Sequence, residues 1–321
     1  MFSLFQEKSK RDMIPVNSVL QVGQFPEIMQ REIDRRLSTT KLLDPQAKAP
    51  EGGFAAILTR SNTQLPQGLL EQVPTVRMVA TCGVGYDNLP LDYLKANGIQ
   101  ASNTPGVLND AVCELAIGML FSLLRRIPEA QAFVKSAAWS KSPFTITTTL
   151  AGKCVGIAGM GRIGQDLAKR LESFKVKIAY TGPSRKELPY DYHPNIKALA
   201  QASDVLILAC PASPETDKMI NAEVLDALGP QGYLVNIARG SVVDEGALLV
   251  ALQQKKIAGA ALDVFENEPN PNAGFLNIDN VLLTPHIGSA TAETRQLMTN
   301  LAIDNLEAFY NQQPLLTEVK N

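Results

Sequence analysis

The sequence predicts an α/β protein with two doubly wound parallel sheets, the second inserted into the first. Short apolar runs alternate with helical patterns along the chain, which is typical of parallel sheets built from right-handed crossovers. The 321 residues are about twice the usual length of one domain. A helical pattern at 291–311 follows the last strand of the second sheet and is free to return to the first domain. We therefore predict one domain from residues 1–104 and 291–321, and another from residues 105–290.

The individual elements follow from apolar periodicity and from flanking turn residues. In the first domain, apolar runs predict strands at 18–23, 54–60 and 76–83, and a helix covers 26–37. Residues 111–124 form the longest apolar stretch and predict a buried helix. Thr291 is the expected N-cap of the final helix, with Glu293 in its first turn. The predicted strands of the second domain are 153–158, 176–181, 204–209, 232–238, 258–264 and 280–285, and its helices are 162–174, 196–201, 222–228 and 244–254.

Composition excludes several classes of protein. A content of 45% hydrophobic and 19% charged residues is that of an ordinary globular chain, and a net charge of −2 argues against a nucleic-acid binder. The stretch 111–124 is too short to cross a bilayer and is interrupted by Glu114. The four cysteines are widely spaced without a CxxC pair, so we expect buried thiols and no metal site. No secretion signal is indicated, and the cytoplasm is the expected location.

A glycine-rich turn predicts a dinucleotide site in the second domain. Gly159, Gly161 and Gly164 form GxGxxG directly between a predicted strand and a predicted helix. The first glycine allows the tight turn, the second lets backbone N–H groups approach a pyrophosphate, and the third lets helix and strand pack closely. We therefore expect a Rossmann-like fold. The turn residues assigned to the cofactor are Gly159, Met160, Gly161, Arg162, Ile163 and Gly164.

The end of the next strand predicts which dinucleotide binds. In NAD-binding sheets an Asp or Glu lies there, about twenty residues beyond the glycines, and accepts hydrogen bonds from the ribose 2′-hydroxyl. Here Gly182 takes that place, and Ser184, Arg185 and Lys186 follow. A hydroxyl and cations can bind a 2′-phosphate that a carboxylate would repel. We therefore predict NADP(H) as the cofactor, the alternative being that this segment is an ordinary solvated loop.

Three charged or polar residues at strand ends predict the chemistry. The chain has two histidines; His193 lies in a Pro-containing loop, whereas His286 lies at the tip of the last strand, where ligand crevices of such sheets open. Arg239 and Glu268 follow two other strands of the same sheet. A guanidinium can hold a carboxylate, an imidazolium can protonate an oxygen as hydride reaches its carbon, and a neighbouring Glu would favour the charged imidazolium.

Several motifs together resemble the D-isomer-specific 2-hydroxyacid dehydrogenases. They are GVGYDN, NTPGVLNDAVCELAIGML, GMGRIG, NIARGSVVDEGAL, AALDVFENEP and TPHIGSAT, in this order from about Val79 to the C-terminal helix. Within that family, YTGPSRKE and TPGVLNDA are most similar to the NADPH-preferring glyoxylate/hydroxypyruvate reductases. The resemblance implies reduction of a small 2-oxo acid to the D-2-hydroxy acid.

The resemblance also implies roles for individual residues. His286 is implied to be the acid/base, Glu268 its partner, and Arg239 the anchor of the substrate carboxylate, whose other end is held by the backbone of Val84 and Gly85. Asp263 is implied to bind the nicotinamide carboxamide. The remaining implied cofactor contacts are Cys210, Pro211 and Thr216 for the adenosine half and Ile237 and Gly288 for the nicotinamide half.

Two further expectations concern partners and alternatives. The family implies a homodimer in which the segment 107–139 embraces the partner, with Trp139 as an interface anchor. Alternative functions are reduction of a larger aromatic or sugar-derived 2-oxo acid, or a nucleotide-sensing, corepressor-like binding protein on the same fold. The intact set of Arg239, Glu268 and His286 counts against the binding protein.

Overall fold

The computed structural model describes residues 14–319, and the chain divides into two compact units. Unit 1 contains the residues up to Leu108 and those from Thr291 onward, and unit 2 comprises Asn109–Ala290. All strand pairs in both sheets are parallel. The predicted fold class of two parallel-sheet α/β domains is therefore confirmed.

Unit 1 is built on a five-stranded sheet in the order β2-β1-β3-β4-β5. Its core combines apolar side chains of these strands with those of the helices between them. The strands are β1 (Val19–Val22), β2 (Thr39–Leu42), β3 (Ala56–Arg60), β4 (Met78–Cys82) and β5 (Gln100–Ser102), and the helices are α1 (Glu27–Arg36), α2 (Gln67–Gln72) and α3 (Leu91–Ala96).

The C-terminal helix, Ala292–Tyr310, completes unit 1 by packing against α1 and β4. Thr291 is its N-cap, as predicted: its hydroxyl accepts a hydrogen bond from the backbone N–H of Thr294 at 3.2 Å. Arg36 of α1 forms ion pairs with Asp304 at 2.7 Å and Glu307 at 2.6 Å on this helix. The guanidinium is largely buried, with 11% of the side chain exposed. These contacts tie the C-terminal segment to the N-terminal part of the chain.

Unit 2 is built on a seven-stranded sheet in the order β12-β11-β10-β9-β6-β7-β8. The order reverses between β6 and β9, which is where doubly wound sheets bind ligands. The strands are β6 (Cys154–Ala158), β7 (Lys177–Thr181), β8 (Asp191–Tyr192), β9 (Val205–Leu208), β10 (Tyr233–Asn236), β11 (Gly259–Leu262) and β12 (Val281–Leu283). The helices are α4 (Asn109–Arg125), α5 (Ile127–Lys135), α6 (Arg162–Leu171), α7 (Ile196–Gln201), α8 (Ala222–Leu228) and α9 (Glu245–Gln253), so the C-terminal helix of unit 1 is α10.

The sheet of unit 2 is buried on both faces. Along β9, Val205 and Ile207 belong to the core layer that includes α4 and α6, whereas Leu206 and Leu208 belong to the layer that includes α7, α8 and α9. Successive side chains of a strand point to opposite faces, so a strand covered on both sides must be apolar at every position. This explains the continuous apolar runs of the strands. Helix α4 belongs to one of the two covering layers and has many buried residues, in agreement with the buried helix predicted for residues 111–124.

Three short strands were missed by the sequence analysis: β2, β5 and β8. They have four, three and two residues, and each lies at the edge of its sheet. Edge strands are covered on fewer sides, so polar residues such as those of β2 are tolerated and the apolar signal is weak. Within residues 14–319, no helix is both long and apolar enough to cross a membrane.

Candidate active site

The glycine-rich turn of unit 2 has the geometry of a phosphate-binding turn. Gly159 has φ +98°, and a Cβ there would lie 2.6 Å from the backbone N of Cys210 at the end of β9. A Cβ on Gly164 would lie 2.1 Å from the carbonyl oxygen of Gly159. Only glycine fits at these two positions. A Cβ on Gly161, the N-cap of α6, would meet nothing within 4 Å, so protein atoms do not fill the space beside this residue at the helix N-terminus, the kind of position where phosphates bind.

The neighbouring turn residues differ in what they can contribute. The side chain of Met160 is buried in the core with 3% exposed, so only its backbone can face a cofactor. Arg162 is exposed, and Ile163 is half-buried. The backbone N–H of Gly159 donates to the carbonyl of Thr181 at 3.0 Å, which joins the turn to the end of β7.

The segment after β7 carries the predicted cation cluster. β7 ends at Thr181, Gly182 follows directly, and Ser184, Arg185 and Lys186 are exposed. None of the ion pairs within residues 14–319 involves Arg185 or Lys186. The first position after the strand is therefore a glycine rather than a carboxylate, and the cations that follow are exposed.

Other predicted cofactor residues lie on the loops after β9 and β10. Cys210 and Ile237 are half-buried. The hydroxyl of Thr216 accepts from the backbone N–H of Ser213 at 2.8 Å and donates to the carbonyl of Pro211 at 2.8 Å. These bonds close the loop after β9 beside the glycine-rich turn. Burial raises the pKa of the Cys210 thiol to about 11, so this group is a neutral thiol at neutral pH.

His286 and Glu268 are in direct contact. The imidazole Nδ1 lies 2.7 Å from Glu268 Oε2, and just over a quarter of each side chain is exposed. Because Nδ1 faces the carboxylate, Nε2 is the nitrogen available to a substrate. His286 has φ +52°, a left-handed conformation that is uncommon for residues other than glycine. Its backbone N–H donates to the carbonyl of Asp263 at 2.8 Å, which helps to hold this conformation.

The electrostatics of Glu268 connect the histidine with Arg239. Burial raises the pKa of this carboxyl, but the hydrogen bond and charge of His286, the N–H of Phe265 and the charge of Arg239 together outweigh burial. The pKa of Glu268 is therefore below its usual range. The backbone N–H of Phe265 donates to Glu268 Oε1 at 3.1 Å, so both carboxylate oxygens are held. Glu268 is thus ionised and oriented toward the imidazole.

Asn236 and Gly240 position the backbone of Arg239. The sequence analysis did not single out either residue. Asn236, with 1% exposed, accepts from the N–H of Ala238 at 3.0 Å and donates to the carbonyl of Arg239 at 2.9 Å. A Cβ on Gly240 would lie 1.8 Å from the carbonyl carbon of Phe265. The backbone next to Arg239 therefore packs directly against the segment that carries Glu268. A polar residue inside the apolar run LVNIA was the available signal for Asn236.

Asp263 holds the loop that carries His286. Its Oδ1 accepts from the Thr284 hydroxyl at 2.7 Å and from the N–H of Ile287 at 2.8 Å, and its Oδ2 accepts from the N–H of Gly288 at 2.8 Å. The residue is 2% exposed, and burial raises its pKa despite these hydrogen bonds. A carboxylate has about four acceptor positions. Three are used by these hydrogen bonds, and the nicotinamide contact of Asp263 stays a prediction.

We expect Asp263→Asn to lower both thermal stability and kcat. A side-chain amide has one oxygen, so an NH₂ group would replace the other acceptor. That group would face either the N–H of Gly288 or the Thr284 hydroxyl and the N–H of Ile287. The donors left without an acceptor would cost about 1–3 kcal/mol of stability. A thermal unfolding scan and steady-state kinetics would measure the two effects, with Asp279→Asn as a control at an exposed acid in the same unit. We call the hydrogen bonds of Asp263 to the loop that carries His286 the Asp263 clamp. An unchanged melting temperature would show that the clamp contributes nothing to stability.

In unit 1 the predicted carboxylate contact lies in the loop after β4. Gly83 has φ +156°, its N–H donates to the Thr104 hydroxyl at 2.9 Å, and its carbonyl accepts from the Thr104 N–H at 2.8 Å. The side-chain amide of Asn103 donates to the carbonyl of Val84 at 2.8 Å. Val84 and Gly85 are both half-buried. The loop is therefore held in one conformation by the segment that follows β5.

Two arginines of unit 1 were not singled out from the sequence. Arg60 ends β3, and its Nε is buried without a hydrogen-bond partner among the described residues. Burial, reinforced by the charge of Arg60, lowers the pKa of Arg295 on α10 to about 10. Burial also lowers the pKa of Arg60. The rule that selected Arg239, a charge at the end of a strand, would also have selected Arg60.

Comparison with known proteins agrees with this geometry. A family model described as D-isomer specific 2-hydroxyacid dehydrogenase, NAD binding domain, matches residues 117–288. The hydroxyphenylpyruvate reductase of Plectranthus scutellarioides is 40% identical over 307 residues, which are 94% of this chain and 98% of that protein. The 2-ketogluconate reductase of Gluconobacter oxydans is 39% identical over 305 residues, with the same coverage. A solved NADPH-dependent glyoxylate/hydroxypyruvate reductase from Sinorhizobium meliloti, in complex with NADP and malonate, superposes with a TM-score of 0.89 at 39% identity, covering 94% of this chain and 96% of that one. The chain therefore belongs to the D-isomer specific 2-hydroxyacid dehydrogenase family.

Proposed function

We propose that the protein is an NADPH-dependent reductase of a small 2-oxo acid, of the glyoxylate or hydroxypyruvate class, that forms the D-2-hydroxy acid. The observation that carries the proposal is the 2.7 Å contact of His286 with Glu268. The charge of Arg239 helps to lower the pKa of the Glu268 carboxyl. A cation, an anion and an imidazole at one edge of one sheet suit the recognition and protonation of a 2-oxo acid. The Sinorhizobium meliloti relative, described as NADPH-dependent, supports the choice of substrate and cofactor.

Each residue has one task in this reaction. Arg239 binds the substrate carboxylate through its guanidinium, and the Val84 and Gly85 amides remain a second predicted contact with it. When bound, NADPH supplies a hydride to the carbonyl carbon. Protonated His286 donates its Nε2 proton to the carbonyl oxygen, which becomes the hydroxyl of the product. Glu268 holds Nδ1 and stabilises the charged imidazolium before that transfer.

The cation cluster supports NADP(H) over NAD(H). We expect the double variant Arg185→Ala, Lys186→Ala to raise KM for NADPH about 10- to 100-fold, because each charge-assisted hydrogen bond to the phosphate contributes about 1.5 kcal/mol or less at an exposed site. KM for NADH should stay nearly constant, since NADH has no 2′-phosphate. Lys197→Ala, an exposed lysine paired with Glu223, is the control. Equal loss with both cofactors would contradict this assignment.

A panel of 2-oxo acids tests the substrate. Glyoxylate, hydroxypyruvate, hydroxyphenylpyruvate and 2-ketogluconate, each assayed with NADPH and with NADH, separate the proposed class from the larger aromatic and sugar-derived acids. The hydroxyphenylpyruvate and 2-ketogluconate reductases among the relatives favour those larger acids as the second candidate. We expect the highest kcat/KM with glyoxylate or hydroxypyruvate. Turnover confined to one of the larger acids would replace the proposed substrate and leave the reaction unchanged.

We also propose a homodimer formed through the segment that contains α5. None of the residues of α5 is buried in the single chain. Ile127 is 51% exposed, Val134 56% and Trp139 68%. Apolar side chains of this size at one part of the surface support the partner interface that the family resemblance implies.

A further inference from the structure

The hydroxyl of Tyr180 is bonded to the loop that carries the cation cluster. Tyr180 lies on β7, is fully buried, and belongs to the core layer that includes α4 and α6. Its hydroxyl accepts a hydrogen bond from the backbone N–H of Lys186 at 2.8 Å and donates one to the carbonyl of the same residue at 3.1 Å. One side chain of the core thus holds both backbone polar groups of Lys186.

A second tyrosine holds the beginning of the same loop. The Tyr192 hydroxyl donates to the carbonyl of Gly182 at 3.3 Å. Tyr192 pairs with Tyr180 in the parallel register of β7 and β8, and the two ring centroids are 5.3 Å apart. The N–H of His193 donates to the carbonyl of Tyr180 at 2.8 Å. The loop between β7 and β8 is therefore held at two points, at Gly182 by Tyr192 and at Lys186 by Tyr180. After the loop the chain pairs with β7 as β8.

Packing alone does not explain the Tyr180 hydroxyl. A phenylalanine would fill the same core volume without a polar group that needs partners. The proposed reaction at His286 does not use this hydroxyl. What it does is fix the backbone of a residue whose side chain, with those of Ser184 and Arg185, is exposed.

We propose that Tyr180 is a positioning residue for cofactor preference, and that its hydroxyl presets the loop so that Ser184, Arg185 and Lys186 receive the 2′-phosphate of NADPH. The inference rests on the proposed use of NADPH. A loop that is already ordered loses less conformational freedom when the phosphate binds, so affinity is gained without a new contact. Tyr192 acts in the same way at Gly182, through a longer hydrogen bond.

The test is Tyr180→Phe, which removes the hydroxyl and keeps the ring. We expect KM for NADPH and the inhibition constant of 2′,5′-ADP to rise about tenfold, the factor that corresponds to 1.4 kcal/mol. KM for NADH and the inhibition constant of 5′-AMP should change less than about twofold, because neither molecule has a 2′-phosphate. kcat with either cofactor should also change less than about twofold, because at saturation hydride transfer does not depend on that phosphate. The matched control is Tyr233→Phe, which removes another tyrosine hydroxyl of unit 2, 3.1 Å from the Thr148 hydroxyl.

Each outcome decides the proposal. If the role of Tyr180 is purely structural, Tyr180→Phe should weaken the binding of NADPH and NADH equally, or change only the melting temperature. Either result would overturn the proposal. If Tyr180→Phe does not fold, Tyr192→Phe at a half-buried position serves instead, with the same direction and a smaller effect. If the unmodified protein shows no preference for NADPH, the proposed cofactor is wrong before any variant is made. If it prefers NADPH and both variants keep that preference in full, the cofactor assignment stands and the role of the tyrosines is wrong.

Discussion

His286→Gln should lower kcat for reduction by about 10²- to 10⁴-fold, the usual contribution of a positioned general acid. Glutamine can still donate a hydrogen bond, but it cannot transfer a proton to the carbonyl oxygen. KM for the 2-oxo acid should change little, because the proposed mechanism assigns the carboxylate to Arg239 rather than to the imidazole. Steady-state kinetics with saturating NADPH would measure the effect.

The chain offers a matched control, because His193 is its other histidine. It lies after β8 and is half-buried. His193→Gln should leave kcat within about twofold, as is usual for substitutions away from a functional site. Undiminished reduction by His286→Gln would show that another group donates the proton. An absence of reduction by the unmodified protein would favour the binding-protein alternative, in which the fold senses a nucleotide without turnover.

The pH dependence follows from the same proton transfer. In the proposed mechanism reduction uses protonated His286 and should weaken as pH rises, whereas oxidation uses neutral His286 and should strengthen. Glu268 has a lowered pKa, so it stays ionised through the neutral range and supports the imidazolium there. Glu268→Gln keeps the size of the side chain but removes the charge. In that variant kcat for reduction should fall, because the carboxylate that holds Nδ1 of His286 is lost.

Periodicity sufficed to predict the inner strands, the edge strand β12 and most helices, and it failed at the other three sheet edges. The predicted helices at 196–201 and 222–228 agree with α7 and α8, because each follows an asparagine that caps it and carries an apolar stripe. β8 has two residues and pairs only with β7, so it has no alternation that could be recognised. Its position nevertheless matters, since Tyr192 on it bonds the loop of the cation cluster.

At the candidate site, the strand-end rule identified the groups, and it could not identify what positions them. Glu268 and His286 are 18 residues apart in the chain, and both follow strands of one sheet. The clamp of Asp263 on Ile287 and Gly288, and the left-handed backbone of His286, depend on loop conformation. A lone carboxylate at the end of the apolar run AGAAL was the available sequence signal for these hydrogen bonds, whereas the predicted cofactor role of Asp263 came from the family resemblance.

Arg239→Lys should raise KM for the 2-oxo acid and lower kcat/KM by about 10²-fold, with KM for NADPH nearly unchanged. Lysine keeps the positive charge but loses the fork that places two parallel hydrogen bonds on a carboxylate, and one charge-assisted hydrogen bond contributes about 1.5–3 kcal/mol. Arg125→Lys is the control, because that exposed arginine donates a hydrogen bond to the Thr147 hydroxyl and lies away from the candidate site residues.

Comparison with Arg239→Met separates the fork from the charge. The charge of Arg239 is one cause of the lowered pKa of Glu268. Its removal should therefore move the acid limb of the reduction profile to higher pH, because Glu268 would lose its own charge sooner on acidification. Arg239→Lys should keep that limb in place while it weakens substrate binding. If both variants leave KM for the 2-oxo acid unchanged, another group binds the carboxylate, and the cation pair of Arg60 and Arg295 in unit 1 becomes the next set of residues to substitute.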